Sequence, residues 1–232
     1  MRPLEGRIAL VTGASRGLGW AASVALATHG AHVIALGRTV GALEELDDAV
    51  QAAGGAATLA PLDLKDDQGL ERLGAAVFER WGRLDILFHA AAEAPPLSPA
   101  EHISTGDLDK AIATNYRHAQ RVIRIAQPLL KAAPAAQAVF PDDPSTMGKR
   151  FFGAYAASKA ALRALALSWA AEQERIGPKV WLCVPPPMPT AVRARFFPGE
   201  DRAKLTPCAE VAERLTAKIV AADAKPGETV EL

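Results

Sequence analysis

Arg7-Ile8-Ala9-Leu10-Val11-Thr12-Gly13-Ala14-Ser15-Arg16-Gly17-Leu18-Gly19-Trp20 is the stretch that decides the fold. It opens as a short apolar run with β-branched residues, meets a glycine-rich turn, and continues into a helical pattern through Trp20, Val24 and Leu26. Strand, glycine turn and helix in that order open a βαβ unit. Gly13, Gly17 and Gly19 are spaced so that the backbone can turn tightly and approach a pyrophosphate. The phosphate charge then meets the N–H groups and positive dipole of the helix start. An ordinary tight turn has the same glycines, but the placement between strand and helix favours nucleotide binding.

Reading outward, His32 to Leu36 is a second strand that ends in Gly37-Arg38-Thr39, and a helix with Leu43 and Leu46 on one face follows. An acidic residue at the end of this strand would take the 2′-hydroxyl of NAD, whereas an Arg can pair with the 2′-phosphate of NADP. Arg38, with Arg16 in the glycine loop nearby, leads us to expect NADP(H) in preference to NAD(H); two surface arginines are the alternative. Ala57 to Leu64 is the third strand, with Asp63 at its end placed either to accept from an adenine amino group or to cap the next helix. Lys65 to Trp81 is amphipathic, and Leu84 to Phe88 is a continuous apolar strand suited to the middle of a parallel sheet. Strands alternating with helices predict an α/β fold: one Rossmann-like domain over residues 1–232, a doubly wound parallel sheet of about seven strands flanked by helices on both faces. Ligands gather at the carboxyl ends of such strands.

Composition narrows the partners. The chain has 232 residues, half of them hydrophobic, enough for a sizeable core. Its 26 basic and 26 acidic residues cancel, so no electrostatic case arises for nucleic acid or a membrane surface. Cys183 and Cys208 show neither metal-ligand nor redox spacing, so no metal is expected and a reducing cytoplasm fits. Met1 to Gly6 is not followed by a long apolar core, and later apolar runs are broken by Arg163 or prolines, so neither export nor a membrane span is expected.

The second half is organised by Tyr155-Ala156-Ala157-Ser158-Lys159, within an Ala-rich helix predicted over Gly153 to Ile176. Four residues apart, Tyr155 and Lys159 share a helix face, and an ammonium beside a phenol stabilises the phenolate, which makes the pair a candidate proton donor. A solvated helix face can carry the same spacing.

With the glycine loop and the Tyr155/Lys159 pair both in place, the chain resembles the short-chain dehydrogenase/reductase family over nearly its whole length. The resemblance implies hydride transfer between a nicotinamide cofactor and a small carbonyl or alcohol substrate. In that frame Tyr155 gives or takes the proton, Lys159 holds the nicotinamide ribose and lowers the pKa of Tyr155, and Asn115 orients a water that links the lysine to solvent. Gly13, Ser15, Arg16, Gly17, Leu18, Gly19, Arg38, Asp63, Ala90, Pro185, Met188 and Thr190, together with Tyr155 and Lys159, are then the cofactor-binding residues. Asn115 can also be read as a polar interruption of a helix over Ala111 to Gln127. Relatives form dimers or tetramers through the long helix, and the small side chains of Ala157, Ala160, Ala161 and Ala164 suit such a contact or an intrachain one.

Three departures from the family pattern stand out. Its Asn-Asn-Ala-Gly after the fourth strand is here His89-Ala90-Ala91-Ala92, without the glycine or the amide that braces the sheet. Its Pro-Gly after the sixth strand, Lys179 to Val184, is Pro185-Pro186, followed by Pro187 and Pro189. Its substrate-holding serine, thirteen residues before the tyrosine, is Asp142. A carboxylate there accepts only, repels a developing oxyanion and raises the pKa of Tyr155, and it could replace the serine only if protonated. Ser145 is another donor, and a solvated turn between prolines is the plain reading of Asp142 and Asp143. We retain Asp142 with Tyr155, Lys159 and Asn115 as the catalytic candidates. The departures also motivate a second reading, an NADP(H)-binding sensory or scaffold protein with weakened or lost catalysis. Pro185 to Thr206 is a long segment with Phe196 and Phe197 among Arg193, Arg195, Arg202 and Lys204; the resemblance implies that it closes over the substrate, and its cations suit an acidic substrate or a solvated lid. A helix over Pro207 to Ala222 and a strand over Glu228 to Leu232 end the chain and, within the family resemblance, leave the C-terminal wall of the pocket open.

Overall fold

The computed structural model describes residues 2–232. Seven parallel strands run in the order β3-β2-β1-β4-β5-β6-β7: β1 (Ile8–Thr12), β2 (His32–Gly37), β3 (Ala56–Pro61), β4 (Ile86–His89), β5 (Gln137–Pro141), β6 (Lys179–Val184) and β7 (Thr229–Glu231). The helices are α1 (Gly17–Thr28), α2 (Val40–Ala52), α3 (Asp67–Trp81), α4 (Thr105–Ile112), α5 (His118–Lys131), α6 (Gly153–Glu172), α7 (Ala191–Phe196) and α8 (Cys208–Ala221). No helix among the described residues is long and apolar enough to cross a membrane.

Alternation along each strand feeds two cores, because successive side chains of a strand point to opposite faces. Val11, Val33, Phe88 and Trp181 pack on one face against Leu26 of α1, Leu43 and Leu46 of α2 and Leu215 of α8. Leu10, Ile34, Leu87, Phe140 and Leu182 pack on the other against Leu70 of α3, Val122 of α5 and Leu162 and Trp169 of α6. The central strands are apolar on both faces for that reason. β1 lies between β2 and β4, with Thr12 opposite Leu36 on one side and His89 on the other. Successive connections lead to opposite sides of the sheet from this point, and a crevice opens there at the carboxyl ends.

Element ends differ from the sequence reading where side chains intervene. β3 stops at Pro61, which still pairs with Gly37, rather than running to Leu64. Asp63 therefore lies in a turn beyond the strand, where its Oδ1 accepts from the Lys65 N–H at 3.0 Å and its carbonyl from the Asp66 N–H. Asp66 is the residue that caps α3, accepting from the Gly69 N–H at 2.9 Å, so the cap role weighed for Asp63 falls to its neighbour. The helix expected over Ala111 to Gln127 is interrupted by a π-turn at Ala113–Arg117.

A polar clasp lies within the C-terminal half of the sheet. The Trp181 indole N–H donates to Gln137 Oε1 at 3.1 Å, and Gln137 Nε2 donates to the Ile219 carbonyl of α8 at 2.7 Å. All three side chains are buried. Gln137→Leu leaves a buried indole N–H and a carbonyl without partners and is expected to lower stability by about 1–3 kcal/mol. Urea unfolding should show the midpoint falling with the slope unchanged, and Trp181→Phe in the same background should recover part of the loss.

Candidate active site

A concavity of about 530 Å³ lies at the carboxyl edge of the sheet. Its first wall is the turn between β1 and α1. Gly13 and Gly17 have positive φ values of 68° and 59°, and a Cβ on Gly19 would stand 2.3 Å from the Gly13 carbonyl oxygen. These are requirements of the loop, since side chains at those places either strain the backbone or prevent closure. No side chain caps the N-terminus of α1, so the N–H groups of the first turn face a cleft whose lining includes Gly13, Ser15, Gly17, Leu18 and Gly19. A helix start of this form suits an anion. Farther along, Arg16, Arg38, Asp63, Lys65 and His118 line the same cleft. Burial lowers the pKa of His118, and Arg121, Lys65 and Arg38 act on it in the same direction while Asp63 opposes them. His118 thus reports how cationic this end is.

At the opposite end α6 presents Tyr155 and Lys159 on the wall the cleft shares with Pro141, Pro185 and Met188. Tyr155 is only 6% exposed, because Phe196 of α7 packs edge-on against its ring at 4.9 Å. Phe152 and Ala94 complete that cluster. Lys159 Nζ donates to the carbonyl of Pro141, the last residue of β5. Asn115 is not on the wall. Its Oδ1 accepts from the Glu93 N–H at 2.7 Å, and its Nδ2 donates to the Glu93 carbonyl at 3.0 Å and to Ser158 Oγ at 2.8 Å. Ser158 in turn donates to the Tyr155 carbonyl at 2.7 Å. The π-turn places Asn115 so that it clamps the loop after β4 to the turn of α6 bearing Tyr155. The helix interruption that the sequence raised is present, and it is what places Asn115 in this clamp.

Comparison with known proteins agrees with this geometry. A family model for short chain dehydrogenase matches residues 7–201. The chain belongs to the short-chain dehydrogenase family. A structure of a short chain dehydrogenase from Pseudomonas syringae shares 30% identity and superimposes with a TM-score of 0.94 over 99% of this chain and 96% of that one. Another, from Shigella flexneri and complexed with NADP, is 28% identical with a TM-score of 0.91 over 99% and 98%. A fatty acyl-CoA reductase of Acinetobacter baylyi is 31% identical over 173 residues, 73% of this chain, and the match spans 58% of that protein.

Within this short-chain dehydrogenase the departures become specific contacts. Asp142 is buried, and its carboxylate pairs with Arg163 of α6, one turn beyond Lys159, while its Oδ1 accepts from the Asp143 N–H at 2.9 Å. Its own N–H donates to the Cys183 carbonyl at 2.7 Å. Of the readings weighed for Asp142, the solvated turn does not hold, because the residue is buried. The carboxylate is a buried, charge-paired acceptor. Ser145, the other hydroxyl considered, donates to Asp143 Oδ1 at 2.7 Å, and Thr146 Oγ1 donates to the Asp143 carbonyl at 2.8 Å. His89 supplies the sheet brace that seemed lost with the amide: its Nδ1 meets Thr12 Oγ1 at 2.9 Å, tying β4 to β1. The lid cations are engaged within the chain, with Arg193 on Glu200 at 2.6 Å, Arg195 near Glu93, Arg202 on the Pro189 carbonyl and Lys204 near Asp201. Glu231 of β7 also lines the cleft.

At the phenol the rise expected from Asp142 is present. Burial pushes the Tyr155 pKa up, and the Asp143 and Asp142 carboxylates add to the rise. The lowering expected from Lys159 does not set the outcome, because its ammonium is turned to the Pro141 carbonyl. Burial lowers the pKa of Lys159, with Asp142 the first of the charges opposing that change. Arg163, His89, Ser158 and Asp143 were not foreseen as site residues. Arg163 lies one turn beyond Lys159 in the sequence, a helical register that could have marked it.

His89 yields a pH prediction. Burial first, then Lys159 and His118, lower its pKa from 6.5 to about 3. The unfolded chain therefore binds a proton that the fold refuses, so this contribution is complete above about pH 6.5 and is lost as pH falls from there towards 3. The slope is at most about 1.4 kcal/mol per pH unit for one site. Urea titrations between pH 7 and 5 should show stability declining with acidity, and His89→Asn should flatten that decline. An unchanged slope contradicts this account.

Proposed function

We propose that this chain is an NADP(H)-dependent oxidoreductase that moves hydride between the nicotinamide and a small carbonyl or alcohol, with Tyr155 as proton donor or acceptor. One observation carries the reading. A single cleft joins a glycine turn at an uncapped helix start to Tyr155 and Lys159, with Arg38, Arg16 and Lys65 at its far end. Gly13 and Gly19 keep the turn closed, since a Cβ at either place would meet the chain's own backbone within 3 Å, and the uncapped helix start beside them suits a pyrophosphate. Arg38 and Arg16 would take the 2′-phosphate, with Asp63 near the adenine, and Ala90, Pro185, Met188 and Thr190 would flank the nicotinamide half. The bound dinucleotide supplies the hydride. Lys159 orients, Asn115 holds the turn of α6 through Ser158, and Tyr155 passes its phenolic proton to the substrate oxygen as charge develops there. We take the working unit to be one domain over residues 1–232, acting in the cytoplasm as a homodimer or homotetramer through α6, where Ala157 and Ala164 are exposed.

A phenol held above its ordinary pKa keeps its proton across the neutral range, so the site suits reduction better than alcohol oxidation. NADPH-dependent reduction is expected to show no titration of Tyr155 between about pH 6 and 9, whereas the reverse reaction should accelerate with rising pH over that window. Tyr155→Phe should lower kcat by about 10²- to 10⁴-fold and leave NADPH binding intact. The second reading, a cofactor-binding protein with lost catalysis, is favoured by the inward commitment of Asp142, Ser145 and Thr146. Wild-type turnover no faster than that of Tyr155→Phe across aldehydes, ketones and quinones would decide for it.

Cofactor choice is read by thermal stabilisation, because a ligand of the folded state raises its apparent stability. NADPH should raise the Tm more than NADH at equal concentration, and Arg38→Ala should shrink the NADPH shift towards the NADH value. A larger shift with NADH refutes the preference.

A further inference from the structure

Asp143 differs from every other acid near Tyr155 in lacking a cation. Asp142 is answered by Arg163, Glu93 by Lys110 at 3.1 Å, and Glu200 by Arg193 at 2.6 Å. Among the described residues no Lys, Arg or His lies within ion-pair distance of Asp143, although it lines the cleft and is the first charge acting on the Tyr155 phenol. Lys159 and Arg193 feel its field from farther off. Its known partner is the Ser145 hydroxyl on Oδ1.

Two further observations point to what faces it. Tyr155 is nine-tenths buried and lines the cleft, and its hydroxyl has no hydrogen-bond partner among the described residues. The surrounding wall is aromatic, built from Phe152, Phe196 and Phe197 with Tyr155. Such rings attract cations, and the chain already uses them so: Lys149 Nζ stands 4.8 Å from the Phe152 centroid and 4.7 Å from that of Phe197. A part-buried carboxylate that lines one cleft with aromatic rings is recognition chemistry for a positive charge, and it opposes an oxyanion.

We propose that the substrate carries a protonated nitrogen at, or within two carbons of, the carbon that receives hydride, an iminium ion or an ammonium-bearing ketone, held by Asp143 against the Tyr155 ring. The inference rests on the reductase reading above. With an iminium, hydride from the reduced nicotinamide forms the new C–H bond, the C=N π pair moves to nitrogen, and a neutral amine and oxidised nicotinamide result without a proton from Tyr155. With an ammonium-bearing ketone, the π pair moves to oxygen, which takes the Tyr155 proton, and the phenol is reprotonated from solvent.

The test uses the full chain with NADPH at pH 7 and three probes: 2-methyl-1-pyrroline, 1-methyl-4-piperidone and the neutral cyclohexanone. At least one cationic probe should exceed cyclohexanone in kcat/KM by about tenfold or more, as expected for one unscreened charge at close range. The arm that responds tells iminium from amino ketone. Asp143→Asn, which keeps an oxygen for Ser145, should lower the kcat/KM ratio of cationic probe to cyclohexanone about tenfold. A binding readout runs beside the rates: with NADPH present, 1-methylpiperidine should raise the wild-type Tm more than cyclohexanol does, and Asp143→Asn should abolish the difference. If NADPH itself fails to raise the Tm, the reductase reading falls. If NADPH stabilises the protein but cyclohexanone matches or beats both cationic probes, no probe is turned over, or Asp143→Asn affects all probes alike, this inference is overturned and the reductase reading stands.

Discussion

The closeness with which two backbone segments pass at Gly13 governs the carboxyl edge of the sheet. A Cβ there would lie 2.8 Å from both Cα and N of Ala91, so the chain leaving β4 crosses the chain leaving β1 with no room for a side chain between them. Hydrogen bonds close the crossing. The Ala90 N–H donates to the Thr12 carbonyl, the Ala91 N–H to Thr12 Oγ1, and His89 joins the same hydroxyl from β4. Because Ala90 to Ala92 have the smallest side chains after glycine, the crossing survives although the expected glycine is absent. The cofactor cleft has its depth because of this pass: the glycine turn is held low, and α1 starts where its N–H groups face the opening.

This constraint explains which parts of the fold were legible. Glycine spacing, β-branched runs and the apolar stretch Leu84 to Phe88 are local, and they placed the strands to within a few residues with the parallel architecture intact. The ends were harder where a side chain decides. β3 ends at Pro61, and the cap of α3 passes to Asp66 because Asp63 is spent on its own turn. Neither outcome is visible from periodicity, since both depend on which of several nearby carboxylates reaches an N–H first. The break at Asn115 was anticipated in kind, but its purpose was not, because Glu93 and Ser158 are 22 and 43 residues away in the chain.

The site divides in the same way. Tyr155 and Lys159 share a helix, so one turn of spacing sufficed to pair them. Asp142 could only be judged by what it meets, and a carboxylate after β5 reads alike whether it faces water, substrate or a guanidinium. Arg163 settles it: the pair fastens the loop after β5 to α6, close to where Lys159 holds Pro141, and Arg163 also reaches towards Thr229 of β7 at 3.4 Å. The acid that seemed to replace a substrate contact has become a strut between β5 and α6. His89 follows the same logic in the sheet, since an imidazole takes over a brace expected of an amide.

Burial then acts on the two charged partners of the site in opposite senses. It disfavours the ammonium of Lys159 and the phenolate of Tyr155 alike, so each group is driven towards its neutral form. For Lys159 the nearby carboxylates offset the effect, and the Pro141 carbonyl gives the ammonium a fixed direction. For Tyr155 the same carboxylates reinforce it. Asp142 and Asp143 thus favour the charged lysine against burial and the protonated tyrosine with it. Phe196 across the ring excludes water that would otherwise screen both effects. Under the proposed reductase role, the acids that look like damage in the sequence would bias the pair towards one direction of proton transfer.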